Sequence, residues 1–505
     1  MNLISPATIE AVQAFAARPH QLFIDGRWVD PTEAGQPVPL IETLNPSSAE
    51  RLGAVPAAGE PDIDRAVAAA RRCFEEDWSQ RDARARSTAL RKMAELVDGQ
   101  RDFLACLETM DIGTPVALTG GQMVDSWIDA LEYFAGAPSR IAGETLSAPG
   151  SWRFTGRESQ IYTLKEPLGV VGAILPWNAP GSFFINKVAP ALAAGCTMVI
   201  KPAEQAPLTA LYLAQLFEEA GLPPGAINVV TGDGAAAGQS LARHPDVDKI
   251  TFTGSTAVGQ SIMRDGADSL KRLTLELGGK SAFVVMSDAD MDSAIQFLVM
   301  MGVFSAGQFC MCPSRVFVEK SIIDRFNEKL AAAMGSVNIG SALDHNTQMG
   351  PLITRQQRSR VTALVNGARQ EGAEVLLGGR ELDTGGFHYH PTLLFHPDTR
   401  LEIAREEVFG PVLLSVPFDE NDLEGVIGLA NETHYGLAAS VWTNNLKLAS
   451  TMVRRFQAGI VGVNSHGFVD PRAPFGGVKH SGLGREFGVE GLESFLETKT
   501  VTAFY

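Results

Sequence analysis

Apolar residues recur at helical spacing between Pro61 and Met110, with Ile63, Ala66, Val67 and Ala70 as one stripe and Leu90, Met93, Leu96 and Val97 as another. Such stripes predict amphipathic helices that bury one face. Ahead of them, Leu22–Ile24, a turn at Asp25-Gly26 and Arg27–Val29 read as short strands. From residue 168 the pattern changes. Apolar runs at Gly169–Leu175, Thr197–Lys201, Ile227–Val230, Lys249–Phe252 and Arg272–Leu277 alternate with helical patterns such as Leu208–Ala220. Alternation of this kind predicts a doubly wound, parallel α/β sheet with ligands at the carboxyl ends of its strands. A second alternating region runs from Ser281 to Phe475. Ser151–Leu164 and Thr498–Phe504 read as strands outside both, suited to assembly.

The stretch Leu168–Ile200 is uncharged except for Lys187, yet it holds Pro176, Pro180, Pro190, Asn178, Ser182 and Asn186. Two buried strands flanking a helix account for it better than a membrane span. The net charge of −16 disfavours nucleic acid and anionic membrane as partners, while leaving room for a phosphate-bearing cofactor held by local donors. Five cysteines (Cys73, Cys106, Cys196, Cys310 and Cys312) are too few for a disulfide framework. Met1–Phe15 has no basic segment and carries Glu10, unlike a signal peptide. A soluble, cytoplasmic protein is expected.

Four segments carry candidate chemistry. Phe252-Thr253-Gly254-Ser255-Thr256-Ala257-Val258-Gly259 follows a predicted strand and precedes a helix, where glycines admit a pyrophosphate and the helix start offers N–H groups. Alone, it is a weak variant of the dinucleotide fingerprint. Lys201-Pro202-Ala203-Glu204 follows the second strand, where a dinucleotide fold carries its ribose-reading carboxylate; a plain surface turn reads the same way. Gly307-Gln308-Phe309-Cys310-Met311-Cys312 spaces two thiols by one residue, which argues against a metal site. Glu276 sits among apolar residues and glycines at a strand end, a setting that raises a carboxylate's pKa toward that of a general base.

In order along the chain, these segments join Pro176-Trp177-Asn178, Glu276-Leu277-Gly278-Gly279-Lys280, Glu406-Glu407-Val408-Phe409-Gly410-Pro411 and Pro474-Phe475-Gly476-Gly477. Together they resemble the NAD(P)-dependent aldehyde dehydrogenase superfamily from Leu22 to Val501. The resemblance implies two doubly wound α/β domains and a small β oligomerisation element. Residues 1–146 and 167–275 would bind the dinucleotide, 276–480 would form the catalytic domain, and 147–166 with 481–505 would assemble a homodimer or homotetramer. It implies Cys310 as the nucleophile, Asn178 as oxyanion donor and Glu276 as general base. For the cofactor, NAD rather than NADP, it implies Lys201 and Glu204 at the adenine-side ribose, Ser255 at the pyrophosphate, and Glu407 and Phe409 at the nicotinamide ribose and ring. Ile174, Pro176, Trp177, Gly234, Gly238, Phe252, Gly254, Val258 and Leu277 would line its path. Cys312 has no role to carry over.

The same resemblance draws the aldehyde pocket from Ala179, Ser182, Phe183, Phe304, Phe309, Met311, Val469 and Phe475, with Phe184 and Phe468 beside them. Small residues at Ala179, Gly181 and Ser182, where some relatives carry larger side chains, would widen one wall. This apolar set favours a medium-sized apolar or aromatic aldehyde. Only Arg472 and Lys187 could serve a carboxylated semialdehyde, whose buried charge needs a cation. A CoA-acylating relative commonly lacks the glutamate that Glu276 matches, and a structural protein on this scaffold would have lost one of Cys310, Glu276 or Asn178.

Overall fold

The strand–helix alternation closes into two separate open sheets in the computed structural model, which describes residues 4–32, 37–147 and 158–505. The first has eight strands in the order Gly482-Leu483, Arg272–Glu276, Lys249–Thr253, Val170–Ile174, Thr197–Lys201, Ile227–Val229, Leu22–Ile24 and Arg27–Val29. Its five central strands are parallel. Four of these five are buried at every residue, which is why they read as continuous apolar runs rather than as alternation. The chain winds outward from Val170–Ile174 in both directions, so the switch point lies between that strand and Lys249–Thr253, where a crevice opens at the carboxyl ends. The short flanking strands are antiparallel additions.

The second sheet orders seven strands as Glu374–Leu377, Thr392–Phe395, Val412–Phe418, Arg315–Glu319, Ala282–Val285, Ala438–Trp442 and Ile460–Val463, parallel except at its first pair. A third, small sheet pairs Leu496–Phe504 with Ser159–Pro167 over nine positions and adds Thr145-Leu146. Part of the strand expected over 151–164 lies outside the described residues.

Predicted boundaries shift for local reasons. Leu277 leaves its strand because its N–H donates to the Ser481 carbonyl at 2.9 Å. The helix expected over 208–220 becomes a tighter turn after Phe217 and stops at Gly221, whose φ of +76° suits glycine. The apolar stretch from 168 resolves as strand, helix and strand. Its helix, Pro180–Ala194, is buried except at Ser182, Phe183 and Asn186. Among the described residues, no helix is long and apolar enough to cross a membrane.

Candidate active site

Cys310 follows a turn that is left-handed for three residues running: Ser305 (φ 44°), Ala306 (φ 53°) and Gly307 (φ 71°). Holding non-glycine residues there costs on the order of 1–3 kcal/mol each, so the surroundings must over-determine the turn. Gly307 is also demanded by space, since a Cβ would lie 2.2 Å from the Gly410 carbonyl oxygen. The buried Gln308 side chain ties the turn down. Its Nε2 donates to the Ser305 carbonyl and its Oε1 accepts from the Ile353 N–H, both at 2.9 Å. The Gln308 carbonyl in turn accepts from Asn178 Nδ2 at 3.0 Å, leaving the second amide N–H of Asn178 able to donate.

Cys310 is half-buried at the cavity wall. Burial pushes its pKa up, and the Glu407 and Glu276 carboxylates push the same way. It therefore rests as a neutral thiol and needs a base. Glu276 is 2% exposed, and neither carboxylate oxygen has a hydrogen-bond partner among the described residues. Burial and the neighbouring Glu486 hold it well above the usual carboxylate range, against the pull of Lys187 and Arg485. A carboxylate held this way takes a proton more readily than an ordinary one, as a general base does. Gly476 gives it room, because a Cβ there would come within 2.7 Å of Glu276 Oε1.

Opposite the thiol, Glu407 Oε1 accepts from the Gly279 N–H at 2.9 Å, and burial pushes this carboxyl up to about 7. Arg360 donates to the Glu407 carbonyl at 2.8 Å and Gln357 to the Phe409 carbonyl at 2.7 Å. Phe409 is left-handed (φ 53°), and its ring meets Trp177 edge-on at 5.2 Å. A cavity of about 510 Å³ joins these groups, lined by Pro176, Trp177, Asn178, Gly254, Ser255, Leu277, Cys310, Glu407 and Phe409. It runs from the switch point of the first sheet to the thiol.

The residues at the switch point fit a dinucleotide. Ser255 caps the helix Thr256–Asp265, its Oγ accepting from the Val258 N–H at 3.3 Å, and the first turn borders the cavity. Added Cβ atoms would lie 2.5 Å from the Phe252 ring at Gly254 and 2.6 Å from Leu277 at Gly259, so only glycine lets the helix start so close to the strand. Ile174 ends the neighbouring strand, and Lys201 the next. Lys201 Nζ donates to Glu204 Oε2 at 3.2 Å, and the Lys201 side chain lies beside Gly238, with open space at Gly234. These positive partial charges, close-packed glycines and a carboxylate suit pyrophosphate and ribose.

The aldehyde side departs further from expectation. Of the residues expected in the pocket, Phe183 lines the mapped cavity with Cys310. Ala179, Ser182 and Phe304 are partly accessible, whereas Phe309, Met311 and Phe475 are buried in the main core. Val469 and its neighbour Phe468 face outward, Phe468 being 80% exposed. Phe184 packs in the core against Phe217 rather than lining a wall. Gly181 widens nothing, because Trp127 already fills its place: a Cβ would lie 2.3 Å from that ring. Trp127 Nε1 also donates to Ser182 Oγ at 2.7 Å. Neither suspected cation is available. Lys187 is 1% exposed, paired with Glu486 and donating to Thr251 Oγ1 at 3.1 Å. Arg472 is 77% exposed and chelates Asp470.

Sequence reasoning missed Gln308, Gln357, Arg360, Tyr435, His434 and His480, five of which line the cavity while Gln308 braces it from behind. It missed His466 too, whose Nε2 lies 2.8 Å from the Met311 carbonyl. Gln308 left one signal, a polar residue inside an apolar motif. The others sit in stretches whose pattern is that of ordinary surface or core.

Geometry and comparison agree on the class, an oxidoreductase that acts on aldehydes with NAD. The aldehyde dehydrogenase family model matches residues 31–501, and the chain belongs to that family. It is 43% identical over 485 residues to aldehyde dehydrogenase 1 of Tanacetum cinerariifolium, covering 95% of this chain and 94% of that protein. It is 40% identical to the mitochondrial aldehyde dehydrogenase of Homo sapiens, covering 99% and 96%. Among solved structures, the NAD+ complex of an aldehyde dehydrogenase from Bacillus cereus superposes with a TM-score of 0.94 at 38% identity, over 100% of both chains.

Proposed function

We propose that Cys310 is the nucleophile, Asn178 the oxyanion donor and Glu276 the general base of a dehydrogenase that converts an apolar, medium-sized or aromatic aldehyde into its acid. One observation carries this reading: Cys310 and Asn178 line the same cavity as the helix start at Ser255, with an unpartnered buried carboxylate close enough to perturb the thiol. Glu276 takes the thiol proton, directly or through water, and the thiolate forms a C–S bond to the aldehyde carbon. Asn178 Nδ2 and the Cys310 N–H donate to the oxygen as it gains charge. NAD, when bound along Lys201, Glu204, Ser255, Glu407 and Phe409, supplies the acceptor for the hydride. Cys310 then carries a thioester. Glu276, having passed the thiol proton to solvent, removes a proton from water as the water oxygen bonds to the acyl carbon; the C–S bond breaks, the acid leaves, and Glu276 returns its proton to the Cys310 thiolate.

Glu204 supports a preference for NAD over NADP, because a carboxylate accepts from ribose hydroxyls and repels an added 2′-phosphate. The engaged states of Lys187 and Arg472 support an uncharged aldehyde over a carboxylated one. Exposed apolar residues on the small sheet, Leu146 and Leu164, support a homodimer or homotetramer built through it. We read residues 1–146 and 167–275 as the dinucleotide domain and 276–480 as the catalytic one. Five free cysteines suit a reducing, cytoplasmic setting. NADH absorbance with benzaldehyde, phenylacetaldehyde, hexanal and succinic semialdehyde tests the substrate class; the best kcat/KM for succinic semialdehyde overturns it.

A further inference from the structure

We infer that Gln308 is a positioning residue that couples the cofactor side of the cavity to the nucleophile. The inference rests on the reading of Cys310 as nucleophile and of Glu407 and Phe409 as cofactor-side groups. Gln308 does not line the cavity. It lies behind the cavity, where two strained turns meet back to back. One carries Cys310, and the other, left-handed at Phe409, carries Glu407. Their contact is tight enough that Gly307 has no room for a Cβ against the Gly410 carbonyl.

Both turns are tied to one segment, 351–360. The Phe409 carbonyl is held by Gln357 and the Glu407 carbonyl by Arg360, both on the helix Arg355–Gln370. The Cys310 turn reaches the same segment through Gln308: its Oε1 accepts from the Ile353 N–H at 2.9 Å, and its Nε2 faces the Pro351 carbonyl at 3.5 Å while donating to Ser305. Among the described residues, every hydrogen bond between that turn and residues 351–353 comes from Gln308. Its own carbonyl anchors Asn178 at 3.0 Å. A ligand that settles the Glu407–Phe409 loop therefore settles the segment, and through Gln308 the thiol and its oxyanion donor together. This matters because the thiol rests protonated and has to be brought to reactivity.

The test is the rate of Cys310 alkylation by iodoacetamide with and without NAD, read by intact-protein mass spectrometry, beside NAD affinity from tryptophan fluorescence. NAD should change the wild-type alkylation rate by about fivefold or more; in Gln308→Ala the change should fall below about twofold, with NAD affinity kept within about threefold. The kcat should drop by about tenfold or more, as misplaced reacting groups require. Gln308→Glu adds a pH signature. A buried carboxyl donates like the amide only while protonated, so coupling and kcat should recover as pH falls and fade as it rises. Undiminished coupling in Gln308→Ala, or a Gln308→Glu enzyme with the wild-type pH profile, overturns the inference. Turnover that survives Cys310→Ala overturns instead the reading beneath it.

Discussion

The two open sheets are built alike and present opposite ends to the cavity. The first offers the carboxyl ends of its strands: Thr253 leads to Gly254-Ser255 and Ile174 to Trp177 and Asn178, all in the cavity wall, whereas Lys201, Glu204 and Glu276 sit at or just after such strand ends without lining it. The second offers amino ends. Cys310 precedes the strand Arg315–Glu319, Glu407 and Phe409 precede Val412–Phe418, and Tyr435 precedes Ala438–Trp442. Carboxyl ends lie beside the N-termini of the following helices, whose partial positive charge suits phosphate. Amino ends lie beside helix C-termini; Met291–Val303 ends just before the Cys310 turn. On that side Glu407 adds to the burial that keeps the thiol neutral. In the proposed reading one sheet suits an anion, and the other holds the proposed nucleophile in check.

Variants on either side should separate these duties. Cys310→Ala should lose turnover by on the order of 10⁴-fold or more while NAD still binds, measured by NADH formation and by fluorescence titration. Asn178→Ala should lose about 10²–10³-fold in kcat, the usual cost of one oxyanion donor, with little change in NAD affinity. Glu204→Gln, on the first sheet, should leave kcat intact and narrow the ratio of kcat/KM for NAD over NADP by about tenfold, since it removes a like-charge repulsion. An unchanged ratio would place the discrimination elsewhere. The smallest effect belongs to Ser255→Ala, which removes the cap of the helix Thr256–Asp265: a loss of about 1 kcal/mol in stability and a raised KM for NAD, with the aldehyde KM unmoved.

This asymmetry also explains what could be read from the sequence. The first sheet obeys a general rule, ligands at the carboxyl ends beside glycine-rich turns, so Gly254, Ser255, Lys201 and Glu204 were weak candidates by position, given roles only by the family motifs. The strands themselves were legible because full burial writes them as unbroken apolar runs. On the second sheet no such rule applies. Cys310 and Glu407 were found through motif resemblance, and their supports, Gln357 and Arg360, come from a helix with an ordinary surface pattern. The aldehyde wall was least legible. Whether Phe183 faces a cavity while Phe184 faces the core depends on helix rotation. Whether Gly181 leaves a gap depends on Trp127, 54 positions away in the chain and supplied by another helix.

In the proposed mechanism substrate carbon becomes bonded to Cys310, and Glu276 frees it. Glu276 is held protonated more readily than an ordinary carboxylate, so its base form grows in as pH rises, and wild-type deacylation should speed up with it. Glutamine keeps the shape and cannot accept the proton. Glu276→Gln mixed with NAD and benzaldehyde, then read by intact mass and peptide mapping, should show a benzoyl adduct that accumulates on Cys310 at every pH. Wild-type steady-state turnover in that variant with no adduct, or an adduct on another residue, would contradict the account.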